Sequence, residues 1–223
     1  MSACAVFDLD GTIIDSSSER LFFFYLLKRG KLRLGSLAEW LIDWIRLFDF
    51  QKGTANKVYL KGIDAKSLID EARTFFADYL VNRISSHACE LIEFHKSHGR
   101  MVVILSGSLT VLVTQFAEHF ALETKFGNDL EVVAGEITGR LAGYHPYGQQ
   151  KATLVESLSS EHQLDLSASY AYGNHHTDTY KLQLFGYPVA VNPTAKLRRI
   201  AKANGWSIEM FHGRTAWKGF CSL

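Results

Sequence analysis

An apolar run, Ala3 to Phe7, leads directly into two closely spaced carboxylates in Asp8-Leu9-Asp10-Gly11-Thr12. A run that is uniformly apolar, with no alternation, reads as a strand buried on both faces, and the Asp-Gly pair stops it. Strands of that kind belong to parallel sheets covered by helices, where ligands gather beyond the carboxyl ends of the strands. Side chains at i and i+2 of a strand share a face, so Asp8 and Asp10 converge on one small volume. Two such acids repel unless a cation or a shared proton relieves them. One can then act as nucleophile or metal ligand while the other handles protons. Gly11 and Thr12 add backbone amides suited to an anion. Read alone, the same residues equally make an Asp-Gly turn that ends a strand.

The texture of the chain changes after this strand. From Ser16 to about Ser86 aromatics are dense, with Phe22 to Tyr25, Trp40, Trp44, Phe48 and Phe50, then Phe75, Phe76 and Tyr79. Leu68, Ala72, Phe75, Phe76 and Tyr79 recur at helical spacing, which predicts a helical insertion. Strands and helices then alternate. Ala88, Leu91, Ile92 and His95 line a helix ended by Gly99, and Met101 to Leu105 is a buried strand ending at Ser106-Gly107-Ser108. Leu109, Leu112, Val113 and Phe116 mark another helix, and Glu131 to Leu141, with Gly135 and Gly139, reads as a small hairpin. A helix lined by Leu154, Val155 and Leu158 follows Lys151, then short strands at Ser169 to Tyr172 and Pro188 to Val191. Leu197, Ile200 and Ala201 form a last helix, closed by Asn204-Gly205. The pattern predicts an α/β fold, a Rossmann-like parallel sheet with helices on both faces, carrying a helical insertion after its first strand.

Charge and composition narrow the function. Lys and Arg total 24 against 23 Asp and Glu, a formal net charge of +1, so no global field draws the chain to nucleic acid or an anionic membrane. Its most apolar run, Leu21 to Leu27, is far short of the roughly 20 residues that span a bilayer, which argues against stable membrane insertion. Cys4, Cys89 and Cys221 are widely spaced without a CxxC pair. That reads against a disulfide framework or a zinc site and fits a reducing, cytoplasmic setting. The opening residues carry no basic segment before Asp8, so no secretory signal is expected. His87, His95 and His98 read as structural, His175 and His176 as loop residues at a pocket mouth, and Lys196 to Arg199 as a solvated helix face.

Asp8-x-Asp10-Gly11-Thr12 after an apolar strand resembles the first motif of the haloacid dehalogenase (HAD) superfamily of phosphohydrolases. Ser106, ending Met101 to Ser106, resembles its second motif, and Lys151 its third. Gly173-Asn174-His175-His176-Thr177-Asp178 resembles its acidic fourth motif. Taken singly, Ser106 reads as an N-cap, Lys151 as a surface lysine and Asp178 as a helix cap. Their order and strand contexts resemble the phosphoserine-phosphatase-like branch across essentially the whole chain. The resemblance implies a core of residues 1–15 and 87–223 and a C1-type helical cap of residues 16–86. It implies a phosphomonoesterase in which Asp8 attacks phosphorus to form an aspartyl phosphate and Asp10 serves as general acid and base. Gly11, Thr12, Ser106, Gly107 (at a helix N-terminus) and Lys151 would bind phosphate. A Mg²⁺ would be held by Asp8, the Asp10 carbonyl, Asn174 and Asp178.

Two departures bear on activity and substrate. The first acidic residue of the fourth motif is here Asn174, which brings no charge to a hard cation and implies weaker metal binding. An inactivated or regulatory phosphate-binding protein is the alternative reading. Phosphoserine-specific relatives carry an acidic residue nine positions after the nucleophile, where this chain has Ser17, with Glu19 beyond it. The expected substrate is a small phosphate monoester, of a polar metabolite or a lipid-like alcohol, and the aromatic insertion would bury much of its apolar surface in a core of its own.

Overall fold

Four consecutive buried residues, Cys4–Phe7, form β1 inside a seven-stranded sheet in the computed structural model, which describes residues 2–47, 56–143 and 145–211. After β1 come α1 (Ser18–Lys28), α2 (Leu34–Leu47), a 3-10 turn (Val58–Leu60) and α3 (Ala65–Phe75), then a π turn (Phe76–Leu80) and a 3-10 turn (Val81–Arg83). The remainder runs α4 (Ser86–Ser97), β2 (Met101–Leu109), α5 (Thr110–His119), β3 (Thr124–Val133), β4 (Glu136–Ala142) and α6 (Gln149–His162). It ends with β5 (Tyr170–Gly173), α7 (Thr179–Leu182), β6 (Tyr187–Val191), α8 (Ala195–Asn204) and β7 (Ser207–Glu209). The strand order is β4-β3-β2-β1-β5-β6-β7, parallel throughout except for the β3–β4 hairpin.

Alternate residues of the central strands feed two apolar layers. Ala5, Phe7, Ile104 and Tyr172 pack on one face, whereas Cys4, Val6, Val103 and Ala171 pack on the other with Val155 and Leu158 of α6 and Leu197 and Ala201 of α8. The α/β expectation with helices on both faces is met. From β1 the chain builds outward through β2 to β4, then returns to build β5 to β7 on the opposite side. That reversal opens a crevice beyond the carboxyl end of β1, where ligands of such sheets bind. No helix of the described residues is long and apolar enough to cross a membrane.

The insertion is helical, but its apolar residues do not form a core of their own. Phe22, Leu26, Leu60, Leu68 and Phe75 belong to the same buried cluster as Phe7 and Ile104. It is also joined to the hairpin: Gly62 N–H donates to the Ile137 carbonyl at 2.7 Å, Ile137 N–H to Ile63 at 2.9 Å, and Ala65 N–H to Gly135 at 2.8 Å. Gly139 (φ +87°) sits so close beneath the insertion that a Cβ there would lie 2.8 Å from Val58 Cα. Phe48 and Phe50 lie outside the described residues.

Three boundaries differ from the sequence expectation. β2 does not stop at Leu105 but continues through Ser106-Gly107-Ser108 to Leu109, and its pairing with β3 shifts register between Leu105 and Leu109. A bulge of this kind keeps the ladder while re-aiming side chains, whereas serine and glycine in sequence read as a stop. The hairpin starts earlier, at Thr124, and turns through Ala134 (φ 51°) and Gly135 (φ 85°), the paired positive φ of a type I′ turn. β7 is a three-residue edge strand without its own sequence signal. Cys4 is a free buried thiol as expected, but Cys89 is disulfide-bonded, which corrects the reading of the cysteines as unpaired; Cys221 lies outside the described residues.

His95 is fully buried behind the sheet. The Arg100 guanidinium donates to Nδ1 at 3.2 Å, so the hydrogen resides on Nε2, which donates to the Tyr172 hydroxyl at 2.8 Å. Burial is the main cause that lowers its pKa to about 4 from 6.5, with Arg100 and His98 adding to it. The unfolded chain therefore binds the extra proton first as pH falls. The stabilisation from neutral His95 is complete above about pH 6.5 and is lost progressively toward pH 4. Denaturant unfolding across that window is expected to lose as much as about 3 kcal/mol through this residue, and His95→Gln should flatten the dependence. A variant with the same pH slope as the wild type would remove His95 as its source.

Candidate active site

The ladder of β1 continues one residue past the strand, where the Asp8 N–H donates to the Tyr172 carbonyl at 3.0 Å. This fixes the Asp8 backbone at the crevice, with its side chain almost wholly buried. Gly148 (φ 56°) turns the chain into α6, and Lys151 in the first turn of that helix points into the same crevice. Its ammonium donates to Asp8 Oδ1 at 2.7 Å and to Asp178 Oδ1 at 2.8 Å. Asp178 Oδ2 accepts the backbone N–H groups of Asn174 at 3.2 Å and His175 at 3.1 Å, which ties down the loop after β5. Beneath them Lys181, also buried, donates to the Tyr172 carbonyl at 2.9 Å.

These charges set one another. Burial pushes the Asp8 carboxyl upward, with Lys151 as the main counterweight. Burial alone would strip Lys151 of its proton, yet Asp178 and Asp8 hold it above the ordinary lysine range. For Asp178, burial opposes ionisation, but Lys151 and Lys181 together keep its carboxyl well below the usual carboxylate range. Burial lowers Lys181 to about 8. Asp10 has no lysine partner. Its Oδ1 accepts the Ser18 N–H at 3.0 Å and its Oδ2 the Ser108 hydroxyl at 3.4 Å, while the two serine hydroxyls meet at 2.6 Å. Burial pushes Asp10 up to about 7, against the pull of the Ser18 bonds.

Asp8, Asp10, Ser106, Gly107, Lys151, Asn174 and Asp178 all line one cavity of about 640 Å³. Gly11 and Thr12 do not line it. The Thr12 N–H is engaged by the Leu9 carbonyl at 3.2 Å, so it is not free for an anion. Gly11 (φ +76°) has another use: a Cβ there would fall 1.9 Å from the Asn174 amide nitrogen, so only glycine lets Asn174 approach. Gly107 is not at a helix N-terminus, because α5 begins only at Thr110; it lies in the β2 bulge, and its carbonyl accepts the Asn128 side-chain amide. Asp178 is the residue whose surroundings differ most from a simple ligand, since protein donors engage both of its oxygens.

The insertion supplies the facing wall, with Phe23, Phe24, Trp40 and Tyr59 around a buried Lys57. Glu19 Oε1 accepts from Lys57 Nζ at 2.5 Å and from the Tyr59 hydroxyl at 2.9 Å. Sequence reasoning missed Ser18, Ser108, His145, Lys57 and Tyr59. Ser108 carried a signal, being two residues from Ser106 on the same strand; Ser18 lies eight residues beyond Asp10, and His145, Lys57 and Tyr59 meet the site from distant chain segments. His175 lines the cavity, with Nδ1 2.9 Å from the Thr177 hydroxyl, and Lys196, Arg198 and Arg199 are exposed on α8 as expected.

Among the described residues no group of three or more His, Cys, Asp or Glu is arranged to hold a metal. Asp8, Asp10 and Asn174, which line the cavity, offer hard oxygen donors. That donor chemistry fits Mg²⁺ and is unsuited to a soft transition metal, with the charge on the site reduced by the neutral Asn174.

The family model for haloacid dehalogenase-like hydrolases matches residues 5–183, a span that includes both carboxylates, Lys151 and Asp178. A phosphoserine phosphatase of Mycobacterium tuberculosis is 28% identical over 220 residues, covering 95% of this chain and 71% of its own. A histidinol-phosphatase of Neisseria meningitidis serogroup C is 27% identical over 223 residues, covering 95% of this chain and 100% of its own. In structure, a Bordetella pertussis Tohama I protein of unknown function superposes with a TM-score of 0.81 at 20% identity, over 95% of this chain and 100% of that one. At that identity the likeness is one of fold. With the family model spanning most of its length, the chain belongs to the haloacid dehalogenase-like hydrolases.

Proposed function

We propose that this phosphatase hydrolyses small phosphate monoesters with Mg²⁺, through a phosphorylated Asp8, beneath a cap formed by residues 16–86. The observation that carries the reading is the contrast between two carboxylates in one cavity. Asp8 rests on the Lys151 ammonium, whereas the Asp10 carboxyl is held by Ser18 and Ser108 and pushed by burial to about 7. Environments that separate two acids in this way assign them different work.

Lys151 engages Oδ1 of Asp8, and Oδ2 is the oxygen that attacks phosphorus. As the new P–O bond forms, the ester P–O bond breaks and protonated Asp10 gives its proton to the departing alkoxide. Asp10 then takes a proton from water, whose oxygen attacks the same phosphorus, and Asp8 leaves as a carboxylate with release of phosphate. Ser106 and Lys151 are the donors for the equatorial oxygens, where a dianion approached by a carboxylate most needs positive charge. Mg²⁺ held by Asp8, the Asp10 carbonyl and Asn174 would supply the remaining charge. Asp178 orients Lys151 and the loop that carries Asn174.

One observation favours a second reading, a phosphate-binding protein of weak turnover: the cavity-lining Asn174 is neutral where the fourth motif of the family carries an acid. Hydrolysis of p-nitrophenyl phosphate against Mg²⁺ concentration separates the two. Saturable activity supports the phosphatase, and activity appearing only in Asn174→Asp supports the second reading. In a working enzyme Asn174→Asp should lower the Mg²⁺ concentration for half-maximal rate by on the order of tenfold, since it adds a charged oxygen to a hard cation. Asp8→Asn is expected to abolish turnover, with native folding checked by circular dichroism because the substitution removes one carboxylate from the buried Lys151 ion pair; substantial residual turnover would eliminate Asp8 as nucleophile. Asp10→Ala should depress alkyl phosphates more than p-nitrophenyl phosphate, whose leaving group needs little protonation. Equal losses on both would count against Asp10 as the acid.

A further inference from the structure

Among the described residues, one side chain that lines the cavity, His145, carries a buried ring nitrogen with no hydrogen-bond partner. The Asn128 amide nitrogen donates to the Gly107 carbonyl, which fixes the orientation of that side chain because a carbonyl only accepts. Asn128 Oδ1 therefore faces His145 Nδ1, at 2.6 Å, and Nδ1 must carry the hydrogen. His145 Nε2 is left as the bare acceptor of the ring, buried and unpartnered. Burial, reinforced by Lys57 and Lys151 against Glu19, lowers the affinity of this ring for a second proton.

We propose that His145 is a specificity-determining residue, its Nε2 accepting a hydrogen bond from a hydroxyl or N–H group on the leaving alcohol. The proposal rests on the phosphatase reading and deepens it: the preferred substrates are monophosphates whose alcohol carries a donor. A buried acceptor left unpaired is costly, so a site built around one rejects a ligand that lacks the matching group. The aromatic wall of Phe23, Trp40 and Tyr59 then contacts the carbon skeleton of the same alcohol.

The test compares kcat/KM on n-propyl phosphate, whose alcohol has no donor, with glycerol 3-phosphate, O-phospho-L-serine and L-histidinol phosphate. The wild type is expected to favour at least one donor-bearing ester over n-propyl phosphate. His145→Phe should cost at least ~10-fold more on that ester than on n-propyl phosphate, mainly through KM, and His145→Gln, which keeps an acceptor, should regain much of the difference. Equal losses across the esters in both variants, or a wild type that does not discriminate, would overturn the proposal. A folded wild type that fails to hydrolyse p-nitrophenyl phosphate at any Mg²⁺ concentration fails the phosphatase reading itself, and the role of His145 falls with it.

Discussion

The ammonium of Lys151, buried between Asp8 and Asp178, is the contact on which the rest of the site depends. Three ionised groups this deeply buried are tolerable only as a mutually compensated set, and removing one member of such a set typically costs about 3–5 kcal/mol. The set draws together the end of β1, the first turn of α6 and the loop after β5, which are remote in sequence and adjacent only because the sheet reverses direction beside β1. Asp178 extends it by accepting two loop amides, so the charge that steadies Lys151 also shapes the backbone around Asn174. Lys181 adds a second ammonium to the group but turns its hydrogen bond to the Tyr172 carbonyl, in the strand that pairs with β1. Electrostatics and sheet pairing thus reinforce the same geometry.

Against that charged floor, Asp10 is distinguished by what it lacks. It receives an amide and a hydroxyl from Ser18 and Ser108 but no ammonium, and burial then dominates its proton affinity. Ser18 opens α1 and Ser108 lies in the β2 bulge, so the environment of the second carboxylate is assembled by the insertion and the sheet together. A separation of roles between two identical side chains needs no difference in their own chemistry, only in the partners that the fold brings to each.

Features encoded by neighbouring residues were legible in the sequence. Asp8 and Asp10 converge because strand geometry puts i and i+2 on one side, and the central strands announced themselves as uninterrupted apolar runs. Lys151 was legible only as a member of an ordered set, since a lysine at the start of an amphipathic helix ordinarily faces solvent. The β2 bulge was not legible: Ser106-Gly107-Ser108 has the composition of a strand end, and only pairing with β3 as far as Asn128 keeps it extended. That same pairing moved Gly107 away from a helix start. Nor was it legible that the aromatic insertion would share its core with Phe7 and Ile104, because periodicity tells which face of a helix is buried and not against what. The importance of His145 depends on Asn128, which no local pattern links to it.

The β3–β4 hairpin carries more of the site than its position at the sheet edge suggests. Its outer strand bonds to the insertion through Ile137 and receives the close approach of Val58 at Gly139. Its inner strand presents Asn128, which holds the Gly107 carbonyl on one side and His145 on the other. One antiparallel pair therefore touches the insertion, the bulge that carries Ser106 and the His145 ring. An antiparallel pair exchanges hydrogen bonds along its length and shifts as a unit more readily than it shears. Displacing the insertion as a rigid body either breaks the bonds at Gly62, Ile63 and Ala65 or carries the hairpin with it. In the second case Asn128 moves relative to Gly107, and the insertion side of the cavity becomes mechanically coupled to the β2 bulge.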